Sequence, residues 1–492
     1  MRLAVSICVF LGGLVVVMSG CAFSGRPSLA QCQPHPAPRA GSARYYVDAE
    51  LGRDSNPGTS PTTAWRTLAR VERSGYRGGD TILLRGGQRF NGTICLGTAN
   101  LRATSESSRL TIGSYGRGRA TILAPSRTDG IAAINVAGVR VSGVNVVGRH
   151  DLCSEDVSNG YRYGTAGIRL EARSLHGTLT QGITVDHVDS SRFCDGIVVS
   201  SGDDGSRISH VSVRGVRSHD NGDAGVWTYD QANARHSIRD VRVTNTRAYR
   251  NHARGGIMLF GVDGGKVANS VAFANAREAG GVGIWAFDSN RIVFTHNESY
   301  GNGRTTLTDD GDGFDFDKGV SNSVMEHNYS HGNGGVGFLV CSCNPGLYPF
   351  YRMHDIIIRS NVSRNDGSSG QASLYVDGGE PMIGVDIVSN RVESGTGSGP
   401  LVDVSGCRYC DASKLAYVAH GRPYTRVRVR GNTFVSRGGK PLLQVHPGRA
   451  TDLVFQGNSL RAIGGHFRVD WGNRRFVTPR AWQAAVASRG RH

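Results

Sequence analysis

Residues Asp309, Asp310, Asp312, Asp315, Asp317 and Lys318 crowd five carboxylates and an amine into one ten-residue stretch. Drawn out as a strand, the stretch turns Phe314 and Phe316 to one side and Asp315 and Asp317 to the other. Two phenylalanines require a core, whereas two carboxylates suit water, a metal ion or a substrate. A step of two residues along a strand is about 6.6 Å. That suits an inverting glycoside hydrolysis, in which carboxyls about 6.5–9.5 Å apart act as acid and as base on water. Asp288 ends the strand of the preceding repeat and Asp312 begins this one, so either can assist. The same residues also suit a β-elimination. There, Asp312, Asp315 and Asp317 would hold Ca²⁺, the sugar C5 proton would become acidic, and Lys318 would remove it. A third reading has no chemistry, because Asp-Gly pairs form turns and can bind structural calcium.

The segment belongs to a repeat. Short apolar strands recur at 195–200, 224–229, 255–260, 282–287, 312–317 and 336–341, with glycines aligned at Gly196, Gly225, Gly256, Gly283, Gly313 and Gly337. A second series, Asn245, Asn269, Asn297, Asn328, Asn361, Asn390, Asn432 and Asn458, follows its own short strands. Asparagine tolerates left-handed backbone, and its amides can bond from one coil to the next. Units of this size with a fixed period predict a solenoid whose coils share one core. In-out alternation sends Ile197, Val226, Ile257, Ile284, Phe314 and Phe338 inward. It sends Trp227, Tyr229, Phe260, Trp285 and Phe287 outward, next to Asp315 and Asp317. Those five rings are read as a sugar-stacking groove; the alternative is a small second core under a cover. The loop 341–355, with Tyr348, Phe350 and Tyr351, would be that cover or a groove wall.

Tyr45–Asp48, Asp54–Ser60, Trp65–Leu68 and Gly79–Gly87 resemble the N-terminal cap and first coil of secreted right-handed parallel β-helix proteins. Both repeat series resemble the parallel β-helix repeat over about residues 130–460. The resemblance implies an all-β, single-stranded right-handed parallel β-helix of the pectate-lyase-like group, many of whose members degrade polysaccharides. Asp312, Asp315, Asp317 and Lys318 are similar in type to the residues of calcium-dependent, lysine-using pectate lyases, but that family's full motif is absent. The Asp-Pro-His-Asp signature of alginate epimerases is absent as well. Fold alone does not decide activity. The expectation is a polysaccharide-cleaving hydrolase, with a calcium-dependent lyase or epimerase and a non-catalytic glycan-binding or envelope protein as alternatives.

The 492 residues divide into a leader (1–20), a tether (21–43), an N-terminal cap with first coils (44–128), the repeats (129–470) and a C-terminal cap (471–492). Met1-Arg2, an apolar run from Leu3 to Met18 and Ser19-Gly20-Cys21 form an export signal resembling a lipobox, with Cys21 lipidated. The chain is therefore expected outside the cytoplasm on a bacterial membrane, or else secreted. Eight cysteines remain beyond Cys8 and Cys21, an even number that suits disulfides. Cys341, Cys343, Cys407 and Cys410 could alternatively form a four-thiolate metal site. The net charge is +16, but only four of the 56 basic residues are lysines, and arginine forms no block, which argues against nucleic acid. A basic surface is compatible with an acidic polysaccharide partner or simply with solvation. The expected assembly is a monomer. Thr478-Pro479 predicts a capped C-terminal helix.

Overall fold

The computed structural model describes residues 41–489, apart from internal stretches of which 155–162, 343–351 and 406–423 are the longest. Its strands stack into three sheets of 14, 13 and 14 strands. Each coil gives one strand to each sheet; Asn290–Thr295, Glu298–Tyr300 and Asp312–Phe316 are one set. Pairing within these sheets is parallel except for the final hairpin of Val469–Trp471 with Arg474–Phe476. The fold is thus a three-sheet parallel β-helix.

Inward positions fill one core along its whole length. Phe314 stacks on Phe338 at 5.1 Å, and Phe316 meets Phe294 at 5.1 Å with the rings tilted by 37°. Tight corners between coils leave backbone amides that no sheet can pair, and asparagine ladders take them up. Asn297, Asn328, Asn361, Asn390 and Asn432 each hand a side-chain N–H to the next Oδ1 at 2.9–3.0 Å, ending at Asn458. The expected series slips by one residue at its start. Asn245 and Asn269 are left-handed corner residues, with φ of 50° and 51°. Their ladder places belong to Thr246 and Ser270, whose hydroxyls are shorter substitutes.

A second ladder, not anticipated from the sequence, runs through Asn221, Asn251, Asn275, Asn302 and Asn333 to Asp366 at 2.8–3.1 Å. It lies at the corner just before the strands that carry the candidate site. At the far end, Thr478 caps the helix Pro479–Arg489 as expected, accepting from Ala481 N. Trp482 of that helix packs on Phe455, Trp471 and Phe476, which closes the core.

Candidate functional site

The third sheet carries the site on its outer face. In register, successive coils present Arg169/Glu171, Val198/Ser200, Trp227/Tyr229, Met258/Phe260, Trp285/Phe287, Asp315/Asp317, Leu339/Cys341, Tyr375/Asp377 and Asp403. Asp315 thus stands on the side that alternation gives it, and Asp317 lies just past the end of its strand. Depth differs from expectation: Asp315 is only 4% exposed, and Asp317 is half-buried.

The aromatic stripe divides in two. Trp227 and Phe260 are 2% and 1% exposed and form a small second core with Met258, Val198, Ala166 and Ala224. The Arg254 guanidinium lies 4.0 Å above the Trp227 ring and pairs with Asp223 at 2.9 Å. The expected sugar-stacking role of Trp227 and Phe260 is thus corrected, because buried rings offer no face to a ligand. Tyr229, Trp285 and Phe287 are half-buried and line the open part of the stripe.

Five carboxylates cluster at the acidic end. Burial raises Asp315 well above the carboxylate range, with Asp317 as the next contributor. Asp317 titrates at about 7, again mainly through burial, despite accepting from the Lys318 amide at 2.7 Å. Asp288 also reaches about 7, raised by burial and by Asp230 and held back by Lys318. Asp312 is raised by burial and then by Asp310. Lys318 itself is buried. Asp288 sits past the end of the preceding strand in left-handed backbone, with φ of 43°. Among the described residues, Asp315 Oδ1, Asp288 Oδ1 and the Trp285 indole N–H have no hydrogen-bond partner.

Asp312 has a plainer task. Its side chain accepts from the Val336 amide of the next coil. Asp129 does the same for Ala166 N and Asp195 for Ala224 N, from the same column of the sheet. This recurrence marks Asp312 as a coil-to-coil link and leaves it one oxygen short for the catalytic or calcium role expected of it.

Tyr375, Asp377 and Asp403 also lie on this face and were missed. The coils lengthen there, which hides the period, although Leu374-Tyr375-Val376-Asp377 keeps the alternation that would have revealed it.

Two other clusters are structural. Cys194, Asp195 and Asp223 place ligand atoms within 4.8 Å of one another. Cys194, however, is in a disulfide with Cys153, and both aspartates accept backbone amides, so no thiolate is available. On the second sheet His219, Tyr249, Phe273, Tyr300 and His331 stack at 4.7–5.0 Å with interplanar angles of 5–10°. Their faces are occupied by one another and only edges point out, which is unsuited to stacking on sugar. Cys341 is also disulfide-bonded, which removes it from the four-thiolate alternative. Cys343, Cys407, Cys410, Tyr348, Phe350, Tyr351 and the lipidation candidate Cys21 lie outside the described residues.

Residues 166–348, which include most of this face, match the family "Right handed beta helix region". The match and the three parallel sheets agree on the fold, a right-handed parallel β-helix. A 64-residue stretch is 33% identical to alpha-1,3-galactosidase A of Akkermansia muciniphila and spans 13% of this chain and 11% of that enzyme. Among solved structures, the GH136 lacto-N-biosidase of Eubacterium ramulus aligns over 86% of this chain and 68% of its own at 16% identity and a TM-score of 0.56. The A-module of mannuronan C-5 epimerase AlgE6 from Azotobacter vinelandii aligns over 81% and 89% at 18% identity and a TM-score of 0.49. At such identities the structural likeness speaks to the fold.

Proposed function

We propose that this chain is an extracytoplasmic, carbohydrate-active enzyme that hydrolyses glycosidic bonds on the outer face of its third sheet. The observation that carries the reading is the placing of Asp315 on the strand Asp312–Phe316 and of Asp317 just past its end, one coil from the half-buried Trp285 and Phe287. Ring faces bind the apolar side of a sugar, and raised carboxyls supply a proton near neutral pH. Asp317, at about 7, is positioned as the general acid. Asp288, also at about 7, then serves as the second carboxylate once deprotonated. The two matched relatives that are glycosidases by name support the reaction class. The apolar leader and Ser19-Gly20-Cys21 support export with a lipid on Cys21, and the Cys153–Cys194 disulfide is in keeping with an oxidising compartment.

A calcium-dependent elimination is the second reading. It draws on the partnerless Asp315 Oδ1 and on the buried Lys318. Asp315 and Asp317 would hold the ion, hard oxygen donors fit Ca²⁺, and bound calcium would acidify a uronate C5 proton. Incubation with a broad glycan panel, with and without chelator, decides. New reducing ends without enol-ether absorbance, lost in Asp317→Asn, are expected. Unsaturated, chelator-sensitive product would overturn hydrolysis. Absence of both products, with glycan binding unchanged in Asp315→Asn and Asp317→Asn, would leave a binding protein.

A further inference from the structure

The outer face has a charge pattern that bears on its substrate. From Val198 to Gln444 its two columns carry Asp315, Asp317, Asp377 and Asp403 and not one lysine or arginine. Among the described residues, the nearby cations Arg254 and Lys318 are engaged: Arg254 is paired with Asp223, and Lys318 acts on both Asp288 and Asp317. Proteins that read sugar carboxylates do so with arginine or lysine, in bidentate or point-charge pairs. Here a sugar carboxylate would instead add its charge to a poorly solvated row of carboxyls whose mutual repulsion already favours their protonated forms.

The hydrogen-bonding inventory points the same way. Asp315 Oδ1 is a buried acceptor without a partner, and the Trp285 indole N–H is a buried donor without one. They sit at paired positions on adjacent coils, about 4.8 Å apart along the backbone. A hydroxyl can donate to the first and accept from the second; a carboxylate can only accept. We infer that the site takes a neutral glycan, read through its hydroxyls and stacked on Trp285 and Phe287, and excludes uronate-bearing chains. The inference rests on the carbohydrate reading above and departs from the acidic partner that the basic overall charge suggests.

The test uses the full chain and uronate-rich glycans assayed before and after chemical reduction of their carboxyls to alcohols, next to a neutral glycan panel. Chelator is present throughout one arm. Expected are binding and cleavage confined to neutral glycans, and at least about tenfold stronger binding to a uronate glycan after reduction. Asp403→Asn should narrow that gap with an unchanged melting temperature. Equal or stronger binding of the unreduced uronate glycans would overturn the inference while leaving a carbohydrate site standing. A uronate preference that vanishes with chelator would also overturn it, in favour of elimination. Binding to no glycan of any panel would overturn the carbohydrate reading and this inference with it.

Discussion

Replacing Asp317 by asparagine tests the electrostatics of the site and its chemistry together. A carboxyl that titrates at about 7 in the folded protein and near 3.8 unfolded binds its proton more tightly when folded. The sign follows: its contribution to stability is complete below pH 4, declines as pH rises through 4 to 7, and is a penalty above 7. At about 1.36 kcal/mol per unit, the roughly three-unit shift corresponds to about 4 kcal/mol. Partial exposure lets water screen the charge, so about 2 kcal/mol is the expected gain when the charge is removed. For a chain of this length that raises Tm by about 2–4 °C at pH 8 and by almost nothing at pH 4.5. Activity should move the other way. A lost general acid costs about 10²–10⁴-fold, and the fall of kcat/KM above pH 7 should disappear from the residual rate. Thermal melts of both proteins at several pH values between 4.5 and 8.5, with matched pH–rate profiles, provide the check. An Asp317→Asn protein less stable than wild type at pH 8, or equally active with the same alkaline limb, would refute the reasoning.

Three further outcomes follow from burial and bonding. Trp227→Ala should cost about 3–5 kcal/mol of stability, because it opens a cavity under Arg254, whereas Trp285→Ala should shift the melt little and weaken glycan binding at least tenfold; denaturation and calorimetry with a bound glycan separate them. Asn302→Ala removes the acceptor of two N–H groups of Asn275 and the donor to Asn333. It should cost about 2–5 kcal/mol and speed amide hydrogen exchange in the adjacent coils before distant ones. Cys21→Ser should move the protein from membrane to soluble fractions, and equal retention by membranes would contradict the lipid anchor.

Much of the scaffold was legible because alternation and period are local. Phe314, Phe316 and Phe338 face inward as their two-residue spacing requires, and Asp315 faces outward for the same reason. Depth was not legible. Alternation gives the side of a sheet on which a residue stands but not how far water reaches, so Asp315 and Trp227 lie deeper than expected. For Trp227 the cause is visible: Arg254, contributed by the next coil, lies across its ring. The ladder register failed where chemistry is shared. Asparagine suits both the left-handed corner and the ladder place, so Asn245 and Asn269 could not be distinguished from Asn297 by type. The second ladder was hidden because its asparagines follow three-residue strands too short to show alternation.

The structure places its best-satisfied polar groups beside its least-satisfied ones. Along the corner from Asn221 to Asn333, amides bond to amides coil after coil. At Asp366 the ladder changes to a carboxylate, which accepts from Asn333 and Ser363 and has no N–H to pass on. Burial raises this carboxyl to about 6, and Asp366 in turn raises Asp312. The ladder therefore ends in negative charge two coils on from Asp315 and Asp317. A row of like charges would push a loosely held strand apart. Here Phe314 and Phe316 anchor the strand in the core, Asp312 links it to the next coil, and Asn302 and Asn333 fix the corners before and after it. Stacking that is over-determined can tolerate an outer face crowded with carboxyls. Carboxyls that a fold could have replaced with neutral side chains at a gain in stability are the groups to expect at a working site.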